Sequence, residues 1–213
     1  MKKTELKNRL LDELATLLEP YGFVLVRRMD WFIRKGTTSL IYQLAFYGGY
    51  SEDKGYTIAP ALAIRIEEVE KIFHKVSGFE PKYQKDTPTI NPTIKDLIKA
   101  KDDYEFELAS VQDISPVVNK LFEIFKNIAL PFLEENSSIA AVDKLLNSNP
   151  ENEDSIFYIP YLRFYHGVIV ARLSCSPNYQ YIAETYRDYL TRANGFYLKD
   201  YEKLLAILKD VKA

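Results

Sequence analysis

Leu6, Leu10, Leu14, Leu17 and Leu18 recur at three- and four-residue steps, with Leu11 beside them, while Lys7, Asp12 and Glu13 fall off that stripe. This is one face of an amphipathic helix, and Pro20 and Gly22 end it. The period then changes. Phe23 to Arg28, Trp31 to Lys35, Ser39 to Tyr47 and Tyr56 to Ile66 are dense in β-branched and aromatic residues and read as four strands. Met29-Asp30 makes a tight turn, and Gly48–Gly55 is a polar loop bounded by glycine. Such short connections predict an antiparallel meander.

Alternation gives this sheet two unequal faces. Leu40, Tyr42, Leu44 and Phe46 share one side with Tyr56, Ile58, Leu62, Ile64 and Ile66, and these large residues are the expected core side, against the first helix. The other side carries Ile41, Gln43, Ala45 and Tyr47, then Thr57, Ala59, Ala61, Ala63 and Arg65. Pro60 has no N–H to give, which predicts an edge or a bulge there.

Glu67 to Val76 reads as a short helix stopped by Gly78, and residues 80–91 as a loop. Asn91-Pro92, Ser115-Pro116 and Ser176-Pro177 each match an N-cap followed by proline at the first helical position. Tyr104 to Leu108 is expected to return to the sheet. Beyond Ser115 the spacing is helical: Val117, Leu121, Phe125 and Ile128, with Pro131 as a break or kink; Ile139, Val142, Leu145 and Leu146; Leu162, Tyr165, Ile169, Val170 and Leu173; Ile182, Tyr186, Tyr189 and Leu190; and Tyr201, Leu204, Leu205 and Leu208. The predicted fold is α+β: an N-terminal helix, an antiparallel sheet of four to five strands, then an all-helical C-terminal half. The division falls at residues 1–110 and 111–213, packed together without a flexible linker.

Composition narrows the function. Apolar residues make up 47% of the 213, enough for a core. A formal charge of −2 gives no bulk attraction to nucleic acid or anionic lipid. One cysteine forms no intrachain disulfide, and Cys175 is expected at a helix C-terminus, in a structural role. The basic N-terminus is not followed by an apolar stretch, and no run reaches the length of a membrane span, so a cytoplasmic protein is expected.

The search for chemistry finds no metal motif, no cofactor fingerprint, no nucleophile elbow and no phosphate loop. Glu70 and His74 are four apart, which reads as a surface pair, and His74 and His166 fall in different halves. What remains is basic and aromatic. Arg28 and Arg34, sharing a face with Gln43, Tyr47 and Arg65, form a candidate anion-binding surface, since guanidinium groups hold carboxylates or phosphates bidentately. A solvated outer sheet face accounts for the same pattern. Tyrosine is frequent, at 16 residues. Tyr165, Tyr186 and Tyr201 lie on apolar stripes and are expected to pack, whereas Trp31, Tyr158, Tyr181 and Tyr197 are candidate interface residues.

Leu17-Leu18-Glu19-Pro20-Tyr21-Gly22-Phe23, followed by Trp31-Phe32-Ile33-Arg34-Lys35, resembles a family of bacterial proteins carrying a domain of unknown function, over about the first 70 residues. The resemblance implies a small cytoplasmic α+β protein, and some similar proteins neighbour toxin systems as immunity partners. The expected function is a non-enzymatic binding protein with a protein partner and no cofactor. The alternative is a small-molecule-binding hydrolytic enzyme using the arginine face in a cleft between the halves.

Overall fold

A computed structural model describes residues 3–48, 55–98, 104–152, 160–193 and 195–211. Helix α1 (Lys3–Leu18) forms on the leucine stripe, with Leu6, Leu10, Leu11, Leu14 and Leu18 buried. A 3-10 turn, Glu19–Tyr21, closes it at Gly22, whose φ of 79° is a left-handed conformation that glycine adopts without steric cost. Strands β1 (Val24–Val26), β2 (Trp31–Arg34), β3 (Thr38–Gly48), β4 (Tyr56–Ile66) and β5 (Phe106–Leu108) make one antiparallel sheet in that order.

Register fixes the faces. Phe32 lies opposite Tyr42 and Arg34 opposite Leu40, while Trp31 lies opposite Gln43. Directly opposed residues share a face, so Phe32, Arg34, Leu40 and Tyr42 project together. On β4, Ile58, Leu62, Ile64 and Ile66 are buried, and alternation runs unbroken through Pro60. The amides of Leu62 and Ile64 donate to Pro92 and Ile90 (3.0 Å each), and the β5 pairing ends at Ile58 opposite Phe106. Pro60 sits between those stretches, where its missing N–H interrupts no ladder bond among the described residues.

The chain divides into two compact units, Met1–Ala63 with Pro92–Glu134, and Ile64–Asn91 with Glu135–Ala213. Residue 110 lies inside the first. In that unit α1 packs against α5 (Ile114–Ile124). The large-residue face of the sheet is closed by an aromatic cluster: Phe125 meets Tyr21, Phe23 and Tyr42 at ring separations of 5.3, 5.1 and 5.5 Å. The buried Tyr42 hydroxyl donates to the carbonyl of Leu121 (3.0 Å). Pro131 does not end the helix. A wide π turn, Phe125–Ala129, precedes it, with the Leu130 amide bonded to Phe125 five residues back, and α6 (Leu130–Glu135) continues. The proline has no N–H, and its ring would crowd the carbonyl four residues earlier, which the wider turn relieves.

The second unit holds α2 (Glu67–Phe73), α3 (Pro81–Gln84), α7 (Ile139–Asn147), α8 (Pro160–Leu173), α9 (Tyr179–Arg192) and α10 (Leu198–Lys209); the short α4 (Ile94–Ile98) belongs to the first. Helix α8 is central, in contact with α2, α7, α9 and α10. That surrounding explains why Val168, Ile169, Val170 and Ala171 are all buried. Gly167 is the point of closest approach. A Cβ there would lie 2.8 Å from Asn147 Oδ1 and 2.9 Å from Tyr186 Cε2. The amide of Asn147 donates to the Gly167 carbonyl (2.8 Å), and the Tyr186 hydroxyl donates to Asn147 Oδ1 (2.6 Å). Arg163 is also buried. It donates to the carbonyls of Leu146 (2.9 Å) and Asn149 (2.8 Å), capping the C-terminal end of α7.

The three proline-marked helix starts are displaced. Thr93, not Asn91, exchanges hydrogen bonds with Asp96 to cap α4. Ser110 and Asp113 form a capping box upstream of Ser115, which lies within α5. Helix α9 begins after Asn178, two residues past Ser176. Proline fits anywhere in a first turn, where amides lack intrahelical partners, so its position alone does not name the cap. Cys175 is exposed and takes φ of 55° just after α8, where the Ser176 amide closes back on Ala171.

Candidate functional site

The arginines expected to share one face do not converge. Arg34 shares a face with Phe32, on the side opposite Gln43 and Trp31, because each sits an odd number of positions from the other along the paired register. Its guanidinium donates to Glu134 (3.1 Å) and to the Tyr21 carbonyl (3.3 Å), and lies 5.3 Å from the Phe23 ring centre. Arg65, in the second unit, donates to Glu67 (3.1 Å) and to the carbonyls of Gln84 (3.0 Å) and Thr87. Arg28 is exposed in the turn after β1. Gln43 donates to the Leu62 carbonyl (3.3 Å). Tyr47 is exposed beside Ala45, Ala59 and Ala61 at a shallow hollow of about 180 Å³. Trp31 is half-buried and Tyr181 exposed, the latter hydrogen-bonded to Glu151. Tyr197 is half-buried, stacked on Tyr161 at 3.8 Å. Tyr158 lies outside the described residues.

The strongest polar constellation is one that spacing reads as a surface pair. Glu70 is fully buried, on the same inward face of α2 as Val69, Ile72 and Phe73. Its burial is tolerated because both carboxylate oxygens meet donors. Thr87 and Thr89 alternate along an extended segment, so both hydroxyls reach it, at 2.7 Å on Oε2 and 2.8 Å on Oε1. His166, from α8, brings Nε2 to 3.0 Å from Oε1. Arg65 lies 3.8 Å from Oε2 and His74 Nε2 3.6 Å from it. Burial opposes charge on Glu70, but the His166 charge and hydrogen bonds from His166, Thr87 and Thr89 outweigh it, and the carboxyl is held below the usual carboxylate range.

The two histidines play different parts. Nδ1 of His166 lies 3.0 Å from the Leu162 carbonyl, one turn back on α8, and its Nε2 faces Glu70. His74 is held below the ordinary histidine value, because loss of water around the ring outweighs the pull of Glu70. Its network assigns a neutral tautomer: Nε2–H faces the Gln84 carbonyl (3.1 Å), and Nδ1 accepts from the Ser77 hydroxyl (2.8 Å). The carboxylate and rings touch directly, leaving no gap at metal-ligand distances, and no group of three or more His, Cys, Asp or Glu among the described residues is arranged to hold a metal ion.

Ser77 joins this network to open space. It lines a cavity of about 430 Å³ in the second unit, with Phe73, Phe79, Tyr161, Tyr165, Phe196, Tyr197 and Asp200 among its walls. Phe196 is 81% exposed, and Phe79 and Asp200 are partly so. The Tyr165 hydroxyl donates to the Tyr197 carbonyl (2.6 Å), which fixes the start of α10 against α8. Burial, and secondarily the Asp200 charge, push the Tyr165 hydroxyl far up, so it stays protonated. The expected packing of Tyr165, Tyr186 and Tyr201 is observed; all are buried. No helix among the described residues is long and apolar enough to cross a membrane. No family model, no curated protein and no solved structure matches the chain.

Proposed function

We propose that this chain is a non-enzymatic binding protein that takes a protruding group of a partner into the aromatic cavity of its second unit. The observation that carries this reading is the cavity wall itself: exposed rings such as Phe196 and Phe79 stand around an open hollow of about 430 Å³. Concave sites with apolar walls and few polar groups are the usual form of a binding site. The arginines that a hydrolytic anion site would use are engaged instead by Glu134, Glu67 and backbone carbonyls. Amide shift mapping by two-dimensional NMR with a panel of aromatic and aliphatic fragments tests the proposal. Concentration-dependent shifts at Gly78, Phe79 and Tyr197, abolished by Phe79→Ala, are expected. A panel that leaves those amides unmoved overturns it.

One observation favours a second, hydrolytic reading: the Ser77 hydroxyl lines the cavity and donates to Nδ1 of His74 at 2.8 Å. That is the spacing of a nucleophile and its base. Covalent labelling of the protein by a fluorophosphonate, lost in Ser77→Ala, is its signature. An unlabelled wild-type protein retires it.

A further inference from the structure

We infer that the group received by this cavity is an alkylammonium cation. The inference rests on the binding reading above and names its ligand class.

Three features of the wall carry it. First, among the lining side chains Asp200 is the one with a formal charge at neutral pH. Second, two of the lining hydroxyls are already committed as donors within the protein. Tyr165 donates to the Tyr197 carbonyl and Ser77 to His74, so neither is turned toward an incoming anion. Third, the exposed rings offer π faces, which attract a cation through the ring quadrupole and repel an anion. Phe196 stands edge-to-face with Tyr197 at 4.8 Å and is the most exposed ring of the wall. Carboxylate and rings therefore act with the same sign.

Lys203 holds Asp200 at 2.7 Å, one turn along α10. Both partners are about half exposed, and such a pair contributes little in water. A ligand ammonium shares the second carboxylate oxygen or displaces Lys203 at small cost. The alkyl portion then covers the apolar ring surface that Phe79 and Phe196 present to solvent.

An alkylammonium reaches the cavity either as a small free amine or as a lysine side chain of a protein. The experiment uses the full chain at fixed ionic strength, titrated with n-butylammonium, with Nα-acetyl-lysine N-methylamide, and with n-butanol as the neutral shape control. Amide shifts of Gly78, Phe79, Tyr197 and Asp200 are followed by NMR. Both cations are expected to bind about tenfold tighter than butanol. Asp200→Asn is expected to remove most of that difference without changing butanol binding. Phe196→Leu keeps apolar volume but removes the π face, and is expected to weaken the cations alone. A lysine derivative that binds tighter than butylammonium identifies a protein side chain as the source; the reverse order identifies a free amine. Equal binding of butanol and the cations, unchanged in Asp200→Asn, overturns the cation inference while the cavity remains a binding site. Silence of all three probes overturns it as well, and the fragment panel then decides separately whether the cavity binds anything.

Discussion

Glu70 and His166 meet inside the second unit, with Oε1 and Nε2 3.0 Å apart and both side chains almost wholly buried. The pair joins residues 96 positions apart in sequence, on α2 and α8. Its second ring nitrogen is held by the Leu162 carbonyl, so the imidazole has no room to turn away if the carboxylate is lost.

Removing one partner strands the other. Glu70→Gln leaves the His166 ring without its carboxylate partner, and two threonine hydroxyls lose an ionised acceptor. The expected loss is about 3–5 kcal/mol of folding stability. Replacing both residues together, as Glu70→Leu with His166→Leu, is expected to recover much of it, because the desolvation cost disappears with the charges. Urea unfolding of the single and double variants checks this. A Glu70→Gln protein as stable as wild type would show that the pair has no energetic weight.

Two pH windows follow from the shifted groups. Glu70 has a depressed folded pKa, so its contribution is complete above the ordinary value of 4.5 and is lost as pH falls below it. His74 is also depressed. Just below its ordinary value of 6.5 the unfolded chain binds a proton that the folded one refuses, so stability declines as pH falls from there. The urea midpoint of wild type should therefore begin to drop below about pH 6.5, and His74→Gln should flatten that stretch while keeping the later acid decline. Identical pH profiles for the two proteins would contradict the assignment of His74.

Gly167→Ala carries an unusual sign. Alanine normally favours a helix over glycine by about 1 kcal/mol. Here the added methyl meets Asn147 Oδ1 and the Tyr186 ring inside 3.0 Å. Overpacking of this kind costs about 1–3 kcal/mol, and the variant is expected to unfold at a lower temperature. A raised melting temperature would mean that α7 and α9 yield easily.

Arg34 and Arg65 should differ despite similar sequence settings. The Arg34–Glu134 pair is exposed at 33% and 54%, and Arg34→Met is expected to cost about 1 kcal/mol or less. Arg65 is 12% exposed and serves the carbonyls of Gln84 and Thr87. Arg65→Met takes the guanidinium donor from the Thr87 carbonyl and one of the donors from the Gln84 carbonyl, at about 2–3 kcal/mol. Chemical denaturation distinguishes the two, and equal effects would contradict the difference in burial.

The apolar periods carried much of the architecture. The leucine spacing named the buried face of α1, and alternation named the inward residues of β4 on both sides of Pro60. The π turn is different: a proline reads as a break or a kink, and neither reading names the wider turn that absorbs it without ending the helix. The Glu70 network was hidden for a plainer reason. Glu70 and His74 at four-residue spacing look alike whether water or His166 lies beyond them, and only the fold brings α8 there. The arginine face failed on parity, since a hairpin turn decides which residues oppose one another and the turn residues alone do not fix that count. Tyr165 and Tyr186 were legible because they lie on stripes; the cavity was not, because its walls come from segments over 70 residues apart.

The wide turn at Phe125–Ala129 takes in one more residue than a regular turn would. Leu121, Phe125, Ala129 and Leu133 are each fully enclosed, at intervals of four. A regular coil advances about 100° per residue, so every fourth side chain wanders about 40° around the axis, and three such steps would swing the last one well off the seam. The slack loop of backbone cancels that drift. Deleting a single residue from it would wind the segment back to ordinary pitch and still bring Leu133 to the seam, because eleven regular steps of about 100° end only about 20° past three full turns; the wide turn takes up one residue of chain without moving the buried face.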